Sequence, residues 1–276
     1  MAELVWINGD LVPAAQATVS VFDHGLTVGD GVFETLKAVD GEPFASRRHL
    51  ERLRRSAAGL DLTVPASDAE LRAAMDEVLE SHGRPPLARV RVTVTGGTAP
   101  LGSDRGTSGP ITVIAVGPMA PPAPETSVCV VPWPRNEHSA VAGLKTISYA
   151  ENVVALAHAK ERGCTEAVFA NTAGHLCEGT GSNVFVAVGG RLLTPPLSSG
   201  CLAGVTRDLV VEVTGAVEED IPMDDFFAAD EVFLTSTGRD VQPVHRVDGR
   251  DLPAPGPLTK AAAAAFADLV ATGTDP

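Results

Sequence analysis

Tyrosine occurs once in this chain, tryptophan twice, and lysine only at positions 37, 145, 160 and 260. With aromatics at 4% of 276 residues, there are few stacking platforms for nucleic-acid bases. Basic residues are also short, 21 against 35 acidic ones, and the net charge of −14 has the wrong sign for a phosphate-backbone surface. Cys129, Cys164, Cys177 and Cys201 form no CxxC pair, so neither a zinc site nor a disulfide framework is expected. Four packed thiols in a reducing cytoplasm fit better. The histidines lack HExxH spacing and no GxSxG is present, which leaves metal and serine-hydrolase chemistry without a motif. No apolar run approaches the roughly 20 residues of a membrane span. The opening MAELVWING has no basic stretch followed by an apolar one, so no signal peptide is expected. These absences predict a soluble, cytoplasmic, acidic protein with neither nucleic-acid nor membrane partners. An anionic ligand would need a locally basic pocket.

What is present is a globular mixture, 44% hydrophobic and 20% charged, long enough for one large domain or two modest ones. A strand at 4–7 turns at Asn8-Gly9, a glycine-rich loop spans 23–31, and a strand at 32–39 ends in the hairpin signal Asp40-Gly41. Ser46 is expected to cap a helix to about Ala58, and the capping box Ser67-x-x-Glu70 opens another that stops at Gly83. From Ala88 to Thr95 the pattern alternates, with Val90, Val92 and Val94 on one face and Arg89, Arg91 and Thr93 on the other. After a strand at 111–116, the Pro-rich stretch 118–124 reads as a linker between an N-terminal domain, 1–117, and a C-terminal one, 125–276. Beyond it come a strand at 128–131, a capping box Ser148-x-x-Glu151 opening a helix, strands at 167–170, 184–188, 191–193 and 232–234, and helices near Thr206 and from Leu258. The fold class is α/β in two units.

Few residues could carry chemistry. Lys160 and Lys260 lie among polar helix neighbours and read as solvated, while Lys37 follows the glycine loop in a strand. Lys145, in Ala-Gly-Leu-Lys-Thr-Ile before a helix, reads either as a part-exposed loop lysine or as a semi-buried amine suited to carbonyl chemistry. Glu178 ends a hairpin and is followed by small residues that allow close approach of a planar ligand; taken alone it reads first as a surface acid at a strand end. Gly204-Val205-Thr206 opens a helix whose amides suit phosphate, and Thr235-Ser236-Thr237-Gly238 is a second amide-rich corner. In His49-x-x-Arg52 the arginine borders a buried stripe, where it can reach inward to phosphate or cover apolar surface with its stem.

In this order these residues resemble the class IV, fold-type IV aminotransferase family, which includes branched-chain aminotransferases, D-amino acid aminotransferases and aminodeoxychorismate lyases. The motifs are Val-Gly-Asp-Gly-Val-Phe-Glu-Thr (28–35), His-Leu-Glu-Arg-Leu (49–53), Lys145 with Asn152, Glu-Gly-Thr-Gly-Ser-Asn-Val-Phe (178–185), Gly-Val-Thr-Arg-Asp (204–208) and Thr-Ser-Thr (235–237). The resemblance implies a small N-terminal α/β domain, a larger C-terminal α/β pseudo-barrel domain and a homodimer. It also implies pyridoxal 5′-phosphate as cofactor. Lys145 would hold the cofactor as an internal aldimine and move the proton during turnover, and Glu178 would bind the pyridine nitrogen. Arg52, Val205, Thr206, Ser236 and Thr237 would hold the phosphate, with Asn183 beside them. Tyr149 would meet the cofactor phenolate.

For the substrate the resemblance implies Arg91, with Arg89 on the same strand face, as carboxylate-trap candidates; both read equally as exposed strand charges. Where the best-known D-amino acid aminotransferases carry an Arg-x-His clamp, Leu101 and Ser103 stand here, and Phe33 replaces an active-site tyrosine. Either carboxylate binding would then have moved, to Arg91 or Arg105, or the reaction differs. The expected reaction is transamination between a D-amino acid, such as D-alanine or D-glutamate, and a 2-keto acid. A 4-amino-4-deoxychorismate lyase and an L-branched-chain aminotransferase are the alternatives.

Overall fold

The computed structural model describes residues 3–276, so Met1 and Ala2, the start of the stretch read for a signal peptide, lie outside the described residues. The contacts divide the chain into two units. The first runs to Ala120 and takes in Leu144–Ser148 and Thr274–Pro276; the second holds Pro121–Gly143 and Tyr149–Gly273. The division at 120/121 falls within the Pro-rich stretch, and the segment carrying Lys145 is assigned to the first unit although it lies far beyond that stretch in sequence.

The first unit contains β1 (Leu4–Ile7), β2 (Asp10–Pro13), α1 (His24–Thr27), β3 (Gly31–Val39), β4 (Glu42–Pro43), α2 (Ser46–Gly59), α3 (Asp68–Ser81), β5 (Leu87–Thr95) and β6 (Ile111–Pro118). Its six strands form an antiparallel sheet in the order β2-β1-β6-β5-β3-β4. The turn from β3 to β4 places both Asp40 and Gly41 at positive φ, 50° and 82°, as a two-residue hairpin of the primed type requires. One sheet face is apolar: Val32, Leu36, Val90, Val92, Val94 and Ile114 are fully buried in one core with Leu50, Leu53, Leu71, Met75 and Leu79 of α2 and α3. The period-2 pattern of β5 therefore sends Arg89, Arg91 and Thr93 to the other face, opposite Lys37, Thr35 and Phe33 of β3 in register.

The capping box of α3 forms as expected: the Ser67 hydroxyl accepts from the Glu70 amide and Glu70 accepts from the Ser67 amide. Ser46 does not cap α2. Ala45 is the N-cap, in a left-handed conformation (φ 54°, ψ 37°), and its amide donates to the Thr274 carbonyl. The Ser46 hydroxyl accepts from Arg72 instead.

The second unit contains β7 (Thr126–Val130), α4 (Ala150–Glu161), β8 (Glu166–Ala170), β9 (Leu176–Gly179), β10 (Asn183–Val188), β11 (Arg191–Thr194), α5 (Val205–Thr214), β12 (Val217–Glu218), α6 (Met223–Ala228), β13 (Glu231–Ser236), β14 (Asp240–Val247), β15 (Arg250–Asp251) and α7 (Pro257–Thr272). They build a mixed sheet in the order β12-β11-β10-β13-β14-β7-β8-β9, with β15 added on β14. The pairs β11/β12, β14/β7 and β7/β8 are parallel. The expected capping box at Ser148 does not form. Tyr149 is the N-cap of α4 without a side-chain cap, and Glu151 pairs with Arg135. All four cysteines are free and buried, in a cluster with Phe169, Ala155 and Ala159. Burial pushes the Cys129 thiol up to about 12 and the Cys201 thiol to about 11.

Candidate active site

In the first unit, Lys145 is held by the backbone of β3. The Phe33 amide donates to the Lys145 carbonyl (3.1 Å), the Ile147 amide to the Gly31 carbonyl (2.9 Å), and Val32 bridges Thr146 antiparallel. The Lys145 amide donates to the Ser56 hydroxyl of α2 at 3.0 Å. The half-buried side chain lays Nζ 4.3 Å from the centroid of the Phe33 ring. Arg91 stacks on the same ring with Cζ at 3.8 Å. Amine and guanidinium carbon therefore lie about 8 Å apart at most, the two centroid distances laid end to end. Lys37, buried, and Arg89, exposed, sit directly opposite each other on this sheet face. Like charges placed directly opposite repel, and this face carries three cationic side chains, Lys37, Arg89 and Arg91.

Behind β3, on its core side, lies Glu34. Arg52 closes on it as a fork, Nε to Oε1 and Nη2 to Oε2, both at 2.7 Å, and His49 Nδ1 lies 2.7 Å from Oε2. Burial alone would raise the Glu34 carboxyl, but the charge and hydrogen bonds of Arg52, with His49, outweigh it and hold the group far below the usual carboxylate range. Burial pushes the His49 imidazole down; Glu34 opposes this, while Arg52 and Lys145 add to it. Arg105, the other suggested carboxylate trap, is committed elsewhere. It forks onto Asp30 at 2.7 and 2.6 Å and donates to the Asp61 carbonyl at 2.6 Å, which pins the glycine-rich loop 96–109.

In the second unit, Glu178 of β9 accepts from the Leu202 amide at 2.9 Å and has the Arg135 Nε 3.5 Å from its Oε1. Arg135 rests on the Phe169 ring (4.2 Å) and forks over the Asn152 carboxamide oxygen. Asn183 begins β10 opposite Thr235 of β13, and its carboxamide donates to the Leu202 carbonyl at 2.8 Å. It thereby ties the stretch before α5 to the end of β13, where half-buried Ser236 and Thr237 stand. A Cβ at Gly204 would collide with the Asn183 carboxamide oxygen. Gly204 is the N-cap of α5 and offers no side chain to its first-turn amides, and Val205 and Thr206 behind it are buried. The Thr235 hydroxyl is buried and has no hydrogen-bond partner among the described residues. Tyr149 is half-buried at the start of α4.

Phe33, Arg52, Arg89 and Arg91 lie in the first unit, Arg52 with Glu34 on the core side of β3; Lys145 lies there too although the expected boundary put it in the C-terminal domain, and Glu178, Asn183, Val205, Thr206, Ser236, Thr237 and Tyr149 lie in the second. Two participants went unread in the sequence. Glu34 had left a signal, a carboxylate in the apolar register Val32-x-Glu34-x-Leu36, which demands a buried cationic partner. Arg135, in a loop after β7, left none.

Residues 31–247 match the model of the family described as amino-transferase class IV. A Methanocaldococcus jannaschii protein, provisionally named a branched-chain-amino-acid aminotransferase, is 35% identical over 257 residues, 89% of this chain and 88% of that protein. The D-alanine aminotransferase of Bacillus licheniformis is 31% identical over 93% of both chains. The crystal structure of the branched-chain aminotransferase of Thermoproteus uzoniensis with norvaline superposes with a TM-score of 0.92 and 31% identity, over 98% of this chain and 95% of that one. The chain belongs to the class IV aminotransferase family and has its fold-type IV architecture. It is an aminotransferase that acts on small amino and keto acids with pyridoxal phosphate.

The residues present fit that cofactor. An uncapped helix start, a buried hydroxyl with no partner among the described residues and a glycine hard against Asn183 could cradle a phosphate, and Glu178 carries the carboxylate that could meet a ring N–H. Among the described residues no cluster could hold a metal ion and no helix is long and apolar enough to cross a membrane.

Proposed function

We propose that this chain is a transaminase that moves an amino group between an amino acid and a 2-keto acid, with a D-dicarboxylate, D-glutamate, among its donors. The observation that carries the reading is the shared Phe33 ring, which sets the Lys145 amine and the Arg91 guanidinium about 8 Å apart at most. When bound, pyridoxal phosphate supplies an aldehyde that condenses with amines and a ring that takes up the electron pair left when the substrate α-proton departs. Lys145 Nζ would hold the aldehyde carbon at rest. Displaced by the substrate amine, it would then carry the proton from the substrate Cα. Glu178 would accept from the ring N–H and keep that nitrogen protonated. Val205, Thr206, Ser236 and Thr237 would donate to the phosphate, and Arg52 would add charge. Tyr149 would donate to the phenolate oxygen.

Lys37, Arg89 and Arg91 would receive substrate carboxylates, and their number favours a substrate with two. The similarity to a D-alanine aminotransferase supports the D series. A second reading, an L-branched-chain aminotransferase, is favoured by the names of two of the relatives. The lyase reading uses the same cofactor residues and no feature of the site favours it. A homodimer is supported by the exposed apolar run Val19, Val21, Phe22, Leu26 and Val28, which a second copy would cover. Four free buried thiols suit the cytoplasm.

The test is reduction of the yellow enzyme with borohydride, which should fix the cofactor on Lys145, together with Lys145→Ala, which should abolish turnover. Comparing kcat/KM for D-glutamate, D-alanine, L-glutamate and L-leucine then ranks the substrates; L-leucine ahead of the D-amino acids would overturn the proposed specificity.

A further inference from the structure

The turn between β9 and β10, residues 179–182, carries two hydroxyls, and both go to one buried acid. Glu166 opens β8 and is 2% exposed. It stands two residues before Val168, so it shares the face of β8 that enters the apolar core with Val128, Leu234 and Val244. Its Oε1 accepts from the Thr180 amide at 3.1 Å and from the Thr180 hydroxyl, and its Oε2 accepts from the Ser182 hydroxyl at 3.2 Å. Gly179 tightens the same turn: its amide donates to the Ser182 carbonyl at 2.7 Å, and a Cβ there would collide with the Ser182 hydroxyl. Asn152 adds a donor to the Thr180 carbonyl.

A second turn meets the same carboxylate. Arg239 lies between β13 and β14, where its amide donates to the Ser236 carbonyl at 3.1 Å and its Nη2 donates to Glu166 Oε2 at 3.1 Å. Its Nη1 reaches Gln242 of β14, whose carboxamide donates in turn to the Ala123 carbonyl at 2.8 Å. One carboxylate thus ties the turn that follows Glu178 to the turn that carries Ser236 and Thr237. A buried ion pair is a poor source of net stability, because desolvation consumes most of the attraction, so the arrangement points to geometry rather than strength.

We infer that Glu166 is a positioning residue that sets the spacing between the ring-binding and the phosphate-binding parts of the cofactor site. The inference rests on the assignment of Glu178 to the ring nitrogen and of Ser236 and Thr237 to the phosphate. A ligand with two joined ends binds tightly only when both subsites stand at its own spacing. A shift of one turn against the other leaves each subsite intact and loses the advantage of the join.

The experiment measures the affinity of the full chain, freed of cofactor, for pyridoxal phosphate and for its two parts: pyridoxal by titration calorimetry, inorganic phosphate by competition. Wild type should bind the whole at least about 100-fold more tightly than either part. Glu166→Gln keeps the volume but sets an amide against Arg239, and Thr180→Val, which removes a single hydroxyl, serves where the glutamine variant does not fold. Each should weaken pyridoxal phosphate by about tenfold or more and each part by less than about twofold, a pattern that a purely structural role would not give. Equal loss for the whole and for either part would place the damage in one subsite and overturn the inference, as would unchanged affinity for the whole in the valine variant. A wild type that binds the whole no more tightly than one of its parts would instead refute the assignment of the other subsite.

Discussion

Glu34→Gln isolates the energetics beneath the candidate site. The substitution keeps side-chain volume, so no cavity opens, but it removes the charge opposite Arg52 where the two side chains are 0% and 6% exposed. Removing one partner of a buried ion pair costs about 3–5 kcal/mol, because the remaining charge stays buried without compensation. Glutamine can still accept one hydrogen bond from the fork, which places the expected loss near about 3 kcal/mol. For a chain of this length that is a fall in Tm of roughly 6–12 °C.

The assay is urea unfolding followed by tryptophan fluorescence in a Trp133→Phe background. Only two tryptophans exist, and Trp6 then reports on the core of the first unit alone. The double variant Glu34→Leu with Arg52→Met should recover most of the loss, since apolar replacement of a whole buried pair is often neutral. A loss below about 1 kcal/mol in the single variant, or a double variant worse than the single one, would refute the reasoning.

Burial holds the His49 imidazole below its ordinary value in the folded chain, so as pH falls through about 6.5 the unfolded chain takes up that proton first. The unfolded state then binds more protons, so stability of the first unit should fall as pH drops below that value. The slope should be at most about 1.4 kcal/mol per pH unit, and it should steepen below about pH 4.3 as Glu34 joins. His49→Gln should flatten the stretch between about pH 6.5 and 5; an unchanged slope there would assign it to other groups. Arg91→Met should lower kcat/KM for D-glutamate by about 10- to 100-fold, with a smaller loss for D-alanine, and equal losses would separate Arg91 from the second carboxylate. Gly204→Ala drives a methyl into Asn183, which the Leu202 carbonyl holds in place, so pyridoxal-phosphate affinity should fall while Trp6-reported stability is unchanged; unaltered affinity would remove this stretch from the phosphate cradle.

The sequence was most informative where one physical rule acted alone. Alternation along Val90, Val92 and Val94 located the core face of β5, and with it the opposite face that carries Arg89 and Arg91. Ser67 and Glu70 formed their capping box because nothing competed for them. Ser46 and Glu151 carried the same local signals and were diverted, one by the left-handed turn at Ala45 and one by Arg135. β14 went unread because Gln242, Pro243, His245 and Arg246 interrupt its apolar pattern, and only its pairing with β13 and β7 gives it form. Arg135 was invisible for a related reason: its place is set by Phe169, Asn152 and Glu178, which are brought together only by folding.

The excursion of residues 144–148 into the first unit has a consequence for dissecting the enzyme. The polypeptide crosses between units at 120/121, 143/144, 148/149 and 273/274, so no single scission separates two whole parts. A fragment ending at Ala120 would lose the chain that supplies the acceptor for the Phe33 amide and the carboxylate that meets the Arg47 amide. The complementary fragment would carry Lys145 away from the strand that fixes its carbonyl. Splitting the gene at the proline-rich stretch should therefore yield halves that work only when co-expressed, with Lys145 supplied by one piece and seated by the other.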